Sequence, residues 1–542
     1  MRLPREGKWT VWIILVALLG ACGGGAPPEQ VLEVAGQFQL FVDDHVVQAM
    51  RQVTRRLNPL EKHPANPILR PDRPWEGQYT NPNFVVFDEK DRLYKMWYVY
   101  IDRDQKPGEK YLRVERSHAG RAYAVSKDGI VWEKPDLGLI DLPGHGRKNN
   151  AVPYRPSLYD RREPDPQRRY KALIGIGDQS RDMGVAFSPD GLHWTPYEGN
   201  PVIDGKIGMG LVIWDDRVQQ YVGFLRPLPS PPVAAMGNVS IRTIGRSTSP
   251  DFLKWNLPQN QVVLVPDEQD PLDTQFYTAS VFKDRGVYFA FLSVYHANSL
   301  MVDVQLAFSR DGIDWKRVGN RHPIITYGMP DRFDSHAAYV YSPPVVLEEE
   351  IRVYYQGQDE AHSLTPGDLS VLAHRPHALP AGTEEALSEY PSRGAAWWYG
   401  VMPQPWTLHG GAGGLAVARR DGFVSLDAGA DPGEVMTRTL WCRGGRLVVN
   451  ADASDPSVWR REGSRWKQHP GGQGEVRVEL LDENGSPLPG FEADRCDPLR
   501  SDALAHAMSW GGQSDLSSLK DRKVKIRFLF RNTKLYSFRL GS

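Results

Sequence analysis

The sequence predicts an all-β protein, a five-bladed β-propeller followed by a β-sandwich, on three observations. First, a Ser, an Asp two residues on and a Trp four residues later recur as a set: Ser126, Asp128 and Trp132; Ser188, Asp190 and Trp194; Ser249, Asp251 and Trp255; Ser309, Asp311 and Trp315. The Asp positions step by 62, 61 and 60 residues. Second, alternating aromatic runs precede each set, at 94–100, 170–175, 221–225 and 288–292. Third, from about residue 424 strands and turns continue while the Ser-x-Asp set stops. A fixed period of this length in a β-rich chain signals radial repetition, and period-2 aromatic runs are those of half-buried strands.

Each unit reads as an inner strand, a turn, the aromatic strand, a third strand, the Ser-x-Asp turn and a Trp-bearing outer strand, which makes one blade. Charged or Gly-containing turns at 88–91, 215–217 and 284–286 separate the first two strands. Asp128, Asp190, Asp251 and Asp311 read as turn-formers that bond their own backbone, and the four Trp as blade packing. A fifth, degraded unit has its aromatic strand at 351–355 and a turn at Asp421, with Arg419 in the Ser position and no Trp. Asp421 lies 110 residues beyond Asp311, so an insertion is expected around 363–412.

The 542 residues divide into 1–21, a signal peptide; 22–37, a tether; 38–426, the propeller; and 427–542, the sandwich. Arg2, Arg5 and Lys8 precede an apolar stretch too short to span comfortably, followed by Cys22 and a Gly-rich run. Residues 19–22 resemble a bacterial lipobox, which implies lipidation at Cys22 and an exported, lipid-anchored protein of the cell envelope, touching the membrane through its anchor alone. A formal net charge of −1 argues against a nucleic-acid partner. Cys442 and Cys496 are either a disulfide or two buried thiols, and no closely spaced second ligand suggests a Cys-bound metal.

Leu40 to His45, His63 to Leu69, Asn81 and Pro82, Arg168 to Lys171, Phe333 to Ser335 and Asp421 to Leu426 carry a resemblance. The chain resembles the five-bladed propeller glycosidases of the arabinanase, levansucrase and invertase superfamily, most of all a bacterial family-32-like group with a C-terminal sandwich. The resemblance implies a glycoside hydrolase acting on an extracellular oligo- or polysaccharide. It departs where Asn81 stands in place of an Asp. The resemblance implies no cofactor, although some of these propellers hold a central calcium, which His336 and His362 could ligate; backbone bonding by these histidines is the favoured alternative.

Glycoside cleavage needs two carboxyl groups, sought at inner-strand starts. Asp270, Asp334 and Glu76 are the expected catalytic set, with Glu76 beside Trp75 as the acid of raised pKa. Trp75, Asn81, Asn150, Arg226, Tyr277, His336, Glu360 and His362 are the expected substrate-binding residues. Asp43 and Asp44 either serve the site or close an edge strand. The rival reading is a catalytically inactive propeller that binds carbohydrate or protein. A third alternative is an Asp-box sialidase; its turn has one more residue before the Gly, and the sequence alone does not place the three arginines it requires.

Overall fold

Each Ser-x-Asp segment closes on itself. Asp128 Oδ1 accepts from the backbone N–H of Ile130 and Val131 at 2.8 and 2.9 Å, and Ser126 Oγ accepts from Gly129 N at 2.8 Å. The Asp bonds recur at Asp190, Asp251 and Asp311, and the Ser bond recurs at Gly191 and Gly312. The residue after the Asp is left-handed in every copy, with φ of 75°, 77°, 67° and 73°; it is Gly in three and Phe252 in the other. Phe252 offsets that strain by full burial against Tyr221 and Trp255, each at 5.3 Å.

The computed structural model describes residues 31–34, 36–103, 117–176, 182–203, 207–257, 261–329, 331–359, 362, 410–454, 458–462, 465–469 and 472–541. Blade one is Tyr79–Asp88, Leu93–Arg103 and Ser117–Ser126, with Glu133 bridging outside Val125. Blade two is Leu158–Tyr159, Tyr170–Ile176, Asp182–Ser188 and Thr195–Pro196; blade three is Ile207–Asp215, Gln220–Pro227, Ile244–Ser249 and Val262–Leu264. Blade four is Thr274–Asp284, Val287–His296 and Met301–Ser309, edged by Trp315–Arg317 and Pro323–Ile325. Blade five is Ala337–Tyr339, Glu350–Gln358 and Gly411–Arg419, and its outer strand is Glu61–Lys62, from before blade one.

The apolar cores between blades close the ring. Trp97 meets Tyr170 between blades one and two, Val185 meets Val212 between two and three, and Phe224 meets Phe276 between three and four. Phe289 then shares a core with Val353 between four and five, and Tyr354 with Met96 between five and one. The alternating aromatic strands read from sequence therefore face both neighbours, which is how a blade buries two sides. At the C-terminal ends of the inner strands a cavity of about 480 Å³ lies on the axis, lined by Val86, Leu158, Ile213, Val281 and Val345 among others.

The sandwich draws on both ends of the chain. Phe38–Leu40 pairs with Thr533–Leu540, Val47–Arg51 with Gly433–Thr437, and Thr54–Leu57 with Val424–Ala428. Leu32 bridges Leu440, and Val34 is buried in the sandwich core. Strand pairing thus corrects the expected boundaries: 38–57 belongs to the sandwich rather than to the propeller, and the tether does not extend to 37. The reason is apolar surface, since fully buried Phe41 lies 6.1 Å from Phe528 and 5.7 Å from Phe538. Ion pairs join the two bodies: Arg310 of the blade-four turn grips Asp43 through Nη2 and Nε at 2.7 and 3.1 Å, and Asp421 accepts from Arg285 and from Ser537. Asp43 and the degraded fifth turn are therefore fastenings between domains. Cys442 and Cys496 are separate buried thiols; burial pushes Cys496 up to about 11.

Candidate functional site

The three expected catalytic acids are each fastened within their own blade. Glu76, fully buried, accepts from the backbone N–H of Asp72 and Arg73, from Lys134 Nζ at 2.8 Å and from the Tyr98 hydroxyl at 2.5 Å. Asp334 accepts from Lys62 Nζ at 2.5 Å and the Tyr355 hydroxyl at 2.8 Å. Asp270 is held by Arg321 at 2.6 Å, Arg317 at 3.4 Å and the Asp267 N–H at 3.0 Å. The geometry repeats: an acid just before an inner strand reaches a base on or beside the outer strand of the same blade. None of the three shares a hydrogen-bond partner with another, and each of the expected catalytic acids is tied to a base of its own blade.

Trp75 and Asn150 belong to the same tie. Trp75 Nε1 donates to Asn150 Oδ1 at 3.2 Å, and Asn150 Nδ2 donates to the Tyr98 hydroxyl and to the Tyr123 carbonyl at 2.6 and 2.8 Å. Trp75 packs against the core between blades five and one. His336 joins blades four and five, its N–H donating to Gln358 O and its carbonyl accepting from Val302. Glu360, Cys22 and almost all of the expected insertion lie outside the described residues. Among the described residues no three His, Cys, Asp or Glu side chains gather as a metal-ligand set.

Tyr277, Arg226 and His362 do meet, at the N-terminal end of the inner strands. Tyr277 occupies a bulge between Phe276 and Thr278, which turns its ring out of the sheet alternation. Its ring lies 5.3 Å from Tyr339 and 5.0 Å from His362, and its hydroxyl is hydrogen-bonded to Tyr341. Arg226 sits 5.8 Å and Arg242 5.5 Å from the Tyr277 ring centre; Arg242 also donates to Gln275 at 2.8 Å and faces Tyr295 at 5.3 Å. Tyr339 and Tyr341 stack at 5.8 Å, and burial holds both hydroxyls far above the ordinary tyrosine range. Arg155, on the chain entering blade two, has Arg121 and Tyr341 as its charged and titratable neighbours. Burial first, then the Arg121 charge, brings Arg155 down to about 10. Asn81 is buried on blade one, and its Oδ1 has no hydrogen-bond partner. All five blades thus contribute to one axial cluster, rich in tyrosine and arginine.

Sequence reasoning missed Arg121, Arg155, Arg242, Tyr295, Tyr339 and Tyr341. Tyr339 and Tyr341 carried a signal, two aromatics at period 2 where blade five begins. The acid ties carried one too: a base stands two residues after the Trp in copies one and four, Lys134 after Trp132 and Arg317 after Trp315. A second acidic group lies on the blade-four face that looks toward blade three. His296 Nε2 and Asp303 Oδ2 are 2.8 Å apart, and Asp303 Oδ1 is buried without a hydrogen-bond partner. Burial lowers the His296 pKa, but the Asp303 hydrogen bond and charge, with Asp273 and Asp270 behind them, leave it raised.

No protein-family model matches the chain, and no curated protein does. Some solved structures are similar to it at low identity. One described as a glycoside hydrolase is 13% identical with a TM-score of 0.38, covering 58% of this chain and 89% of its own. A thermostable family-43 glycoside hydrolase is 14% identical with a TM-score of 0.35, covering 52% and 85%. A structure from the GH130 family, described as containing hydrolases that target β-1,2 mannosidic linkages, is 12% identical with a TM-score of 0.38, covering 56% and 92%. No residue's role is carried over from them.

Proposed function

We propose that this protein is a carbohydrate-active propeller that engages an extracellular glycan at the axial end where Tyr277, Tyr341, Arg226 and Arg242 converge. The observation that carries this reading is the Tyr277 ring at the centre of that cluster, flanked by two guanidiniums and hydrogen-bonded to Tyr341. Aromatic faces bearing polar rims suit a pyranose, which offers C–H groups to a ring and hydroxyls to donors around it. Lipidation at Cys22 would hold this end of the cell envelope protein within reach of its glycan.

Engagement without cleavage is what the described residues support best, since cleavage needs two convergent carboxyls and Glu76, Asp270 and Asp334 are occupied elsewhere. Glycoside hydrolysis is the second reading, favoured by the Asp303–His296 pair with Asp273 beside it. One experiment separates them. Purified protein is assayed on aryl glycosides and on plant and algal polysaccharides, in parallel with affinity electrophoresis on the same polymers. Retardation without product, lost in Tyr277→Ala, supports binding; turnover abolished by Asp303→Asn supports hydrolysis. Neither retardation nor product would sink both.

A further inference from the structure

We propose that the axial site seats the anionic group of an acidic glycan, a carboxylate or a sulfate ester, between Arg121 and Arg155. This rests on glycan engagement at the axial end and names the class of sugar engaged. Cross-strand pairing puts Asn81, Val99 and Arg121 in one row, so their side chains leave the sheet on the same side. The chain then crosses the Ala122–Ala151 bridge and runs through Tyr154 to Arg155. Solvent reaches both guanidiniums, for Arg121 is exposed and Arg155 half-buried.

What distinguishes these two arginines is their company. The electrostatic neighbour of Arg121 is Tyr154; those of Arg155 are Arg121 and Tyr341. The guanidinium hydrogen bond between them and the protein runs from Arg155 Nη1 to the Pro156 carbonyl, at 3.2 Å. Several arginines elsewhere are paired with acids instead: Arg321 is matched to Asp267 and Asp270, Arg420 to Asp284 and Asp421, and Arg310 to Asp43. Overall charge does not explain the difference, because the formal net charge is −1. The two guanidinium charges repel, and burial costs Arg155 hydration that nothing acidic replaces. An anion bridging them removes both costs. Carboxylate and sulfate oxygens fit the planar fork of a guanidinium through paired hydrogen bonds. The site also has the groups that the rest of a sugar would use, since the buried Asn81 Oδ1 can accept from a hydroxyl and Tyr341 lies beside Arg155.

The test is isothermal titration calorimetry on the full chain with three oligosaccharides of equal length: galacturonate, sulfated galactose and neutral galactose. An acidic oligosaccharide is expected to bind at least tenfold more tightly than the neutral one, with affinity falling as salt rises. Which of the two acidic probes wins identifies the anion. Arg155→Gln and Arg121→Gln should each lose tenfold or more for that probe, Arg155→Lys less, with no fall in thermal midpoint. If a variant does not fold, the acidic preference and salt dependence of the wild type still decide. Equal binding of neutral and acidic probes, or unchanged acidic affinity in both variants, overturns the anion assignment and leaves glycan engagement standing. No binding of any probe overturns both.

Discussion

Lys62 and Asp334 meet at 2.5 Å across the seam that closes the propeller. Lys62 stands on the outer strand of blade five, and Asp334 lies on the chain leading into that blade's inner strand, 272 residues later. The Asp334 side chain is 3% exposed and that of Lys62 27%. Removing the cation leaves a buried carboxylate facing only Tyr355. Lys62→Met is therefore expected to cost about 2–4 kcal/mol, toward the lower end because Lys62 is partly solvated. Urea denaturation checks it, and Asp334→Asn added to Lys62→Met should restore part of the loss. Additive losses would show that the pair is not coupled.

Glu76 offers a sharper contrast, because stability and activity point in opposite directions. Because it accepts four hydrogen bonds in a buried site, Glu76→Gln should lose roughly 2–3 kcal/mol of stability, while glycan affinity stays within about twofold of wild type. Circular dichroism melts and affinity electrophoresis read the two separately. Unchanged stability with abolished turnover would return Glu76 to the catalytic role expected from the sequence.

Tyr277→Ala should leave the fold intact and weaken glycan retention about tenfold, since one aromatic face contributes on the order of 1–1.5 kcal/mol. Tyr277→Phe keeps the ring and loses the hydrogen bond to Tyr341, so it should fall in between. An alanine variant that binds as well as wild type would remove the ring from the site.

The His296–Asp303 pair makes stability pH-dependent with a definite sign. The folded pKa of His296 is raised, so its contribution is complete below the unfolded value of about 6.5 and is lost as pH climbs through the folded value. The difference in unfolding free energy between wild type and His296→Gln should be greatest near pH 5–6, at ~1–2 kcal/mol, and shrink at alkaline pH. A difference that grows with pH would mean that His296 is neutral in the folded protein.

Cys442 and Cys496 are buried, and burial raises both thiol pKa values. They should resist alkylation at pH 8 in the native protein and react once it is unfolded, as counted by mass spectrometry. A mass lower by two hydrogens would mean a disulfide.

The repeat was legible because its chemistry is local. Ser, Asp, Gly and Trp of one turn bond within six residues, so the spacing is written in one stretch of chain. The fastening of 38–57 into the sandwich was not legible, since Phe38 pairs with Arg539 and nothing near Phe38 announces that partner. The ties of the acids were not legible for a related reason. A carboxylate before an inner strand looks the same in sequence whether it faces the axis or turns to its own outer strand, and Lys62 becomes its partner only after the ring has closed. Tyr277 was legible as an aromatic at a strand start, whereas Arg121 and Arg155 stand out only once three dimensions show which arginines lack an acid.

Residues 38–62 leave the ribosome long before Gly411–Arg419 and Thr533–Leu540, with which they pair. Synthesis must therefore carry an apolar strand and the fifth blade's missing edge as unsatisfied surface until the chain is nearly finished, a burden that favours slow, late closure and assistance by chaperones. Once closed, neither 38–62 nor Thr533–Leu540 can peel away without opening a blade or splitting the sandwich, which slows unfolding and the proteolysis that follows it.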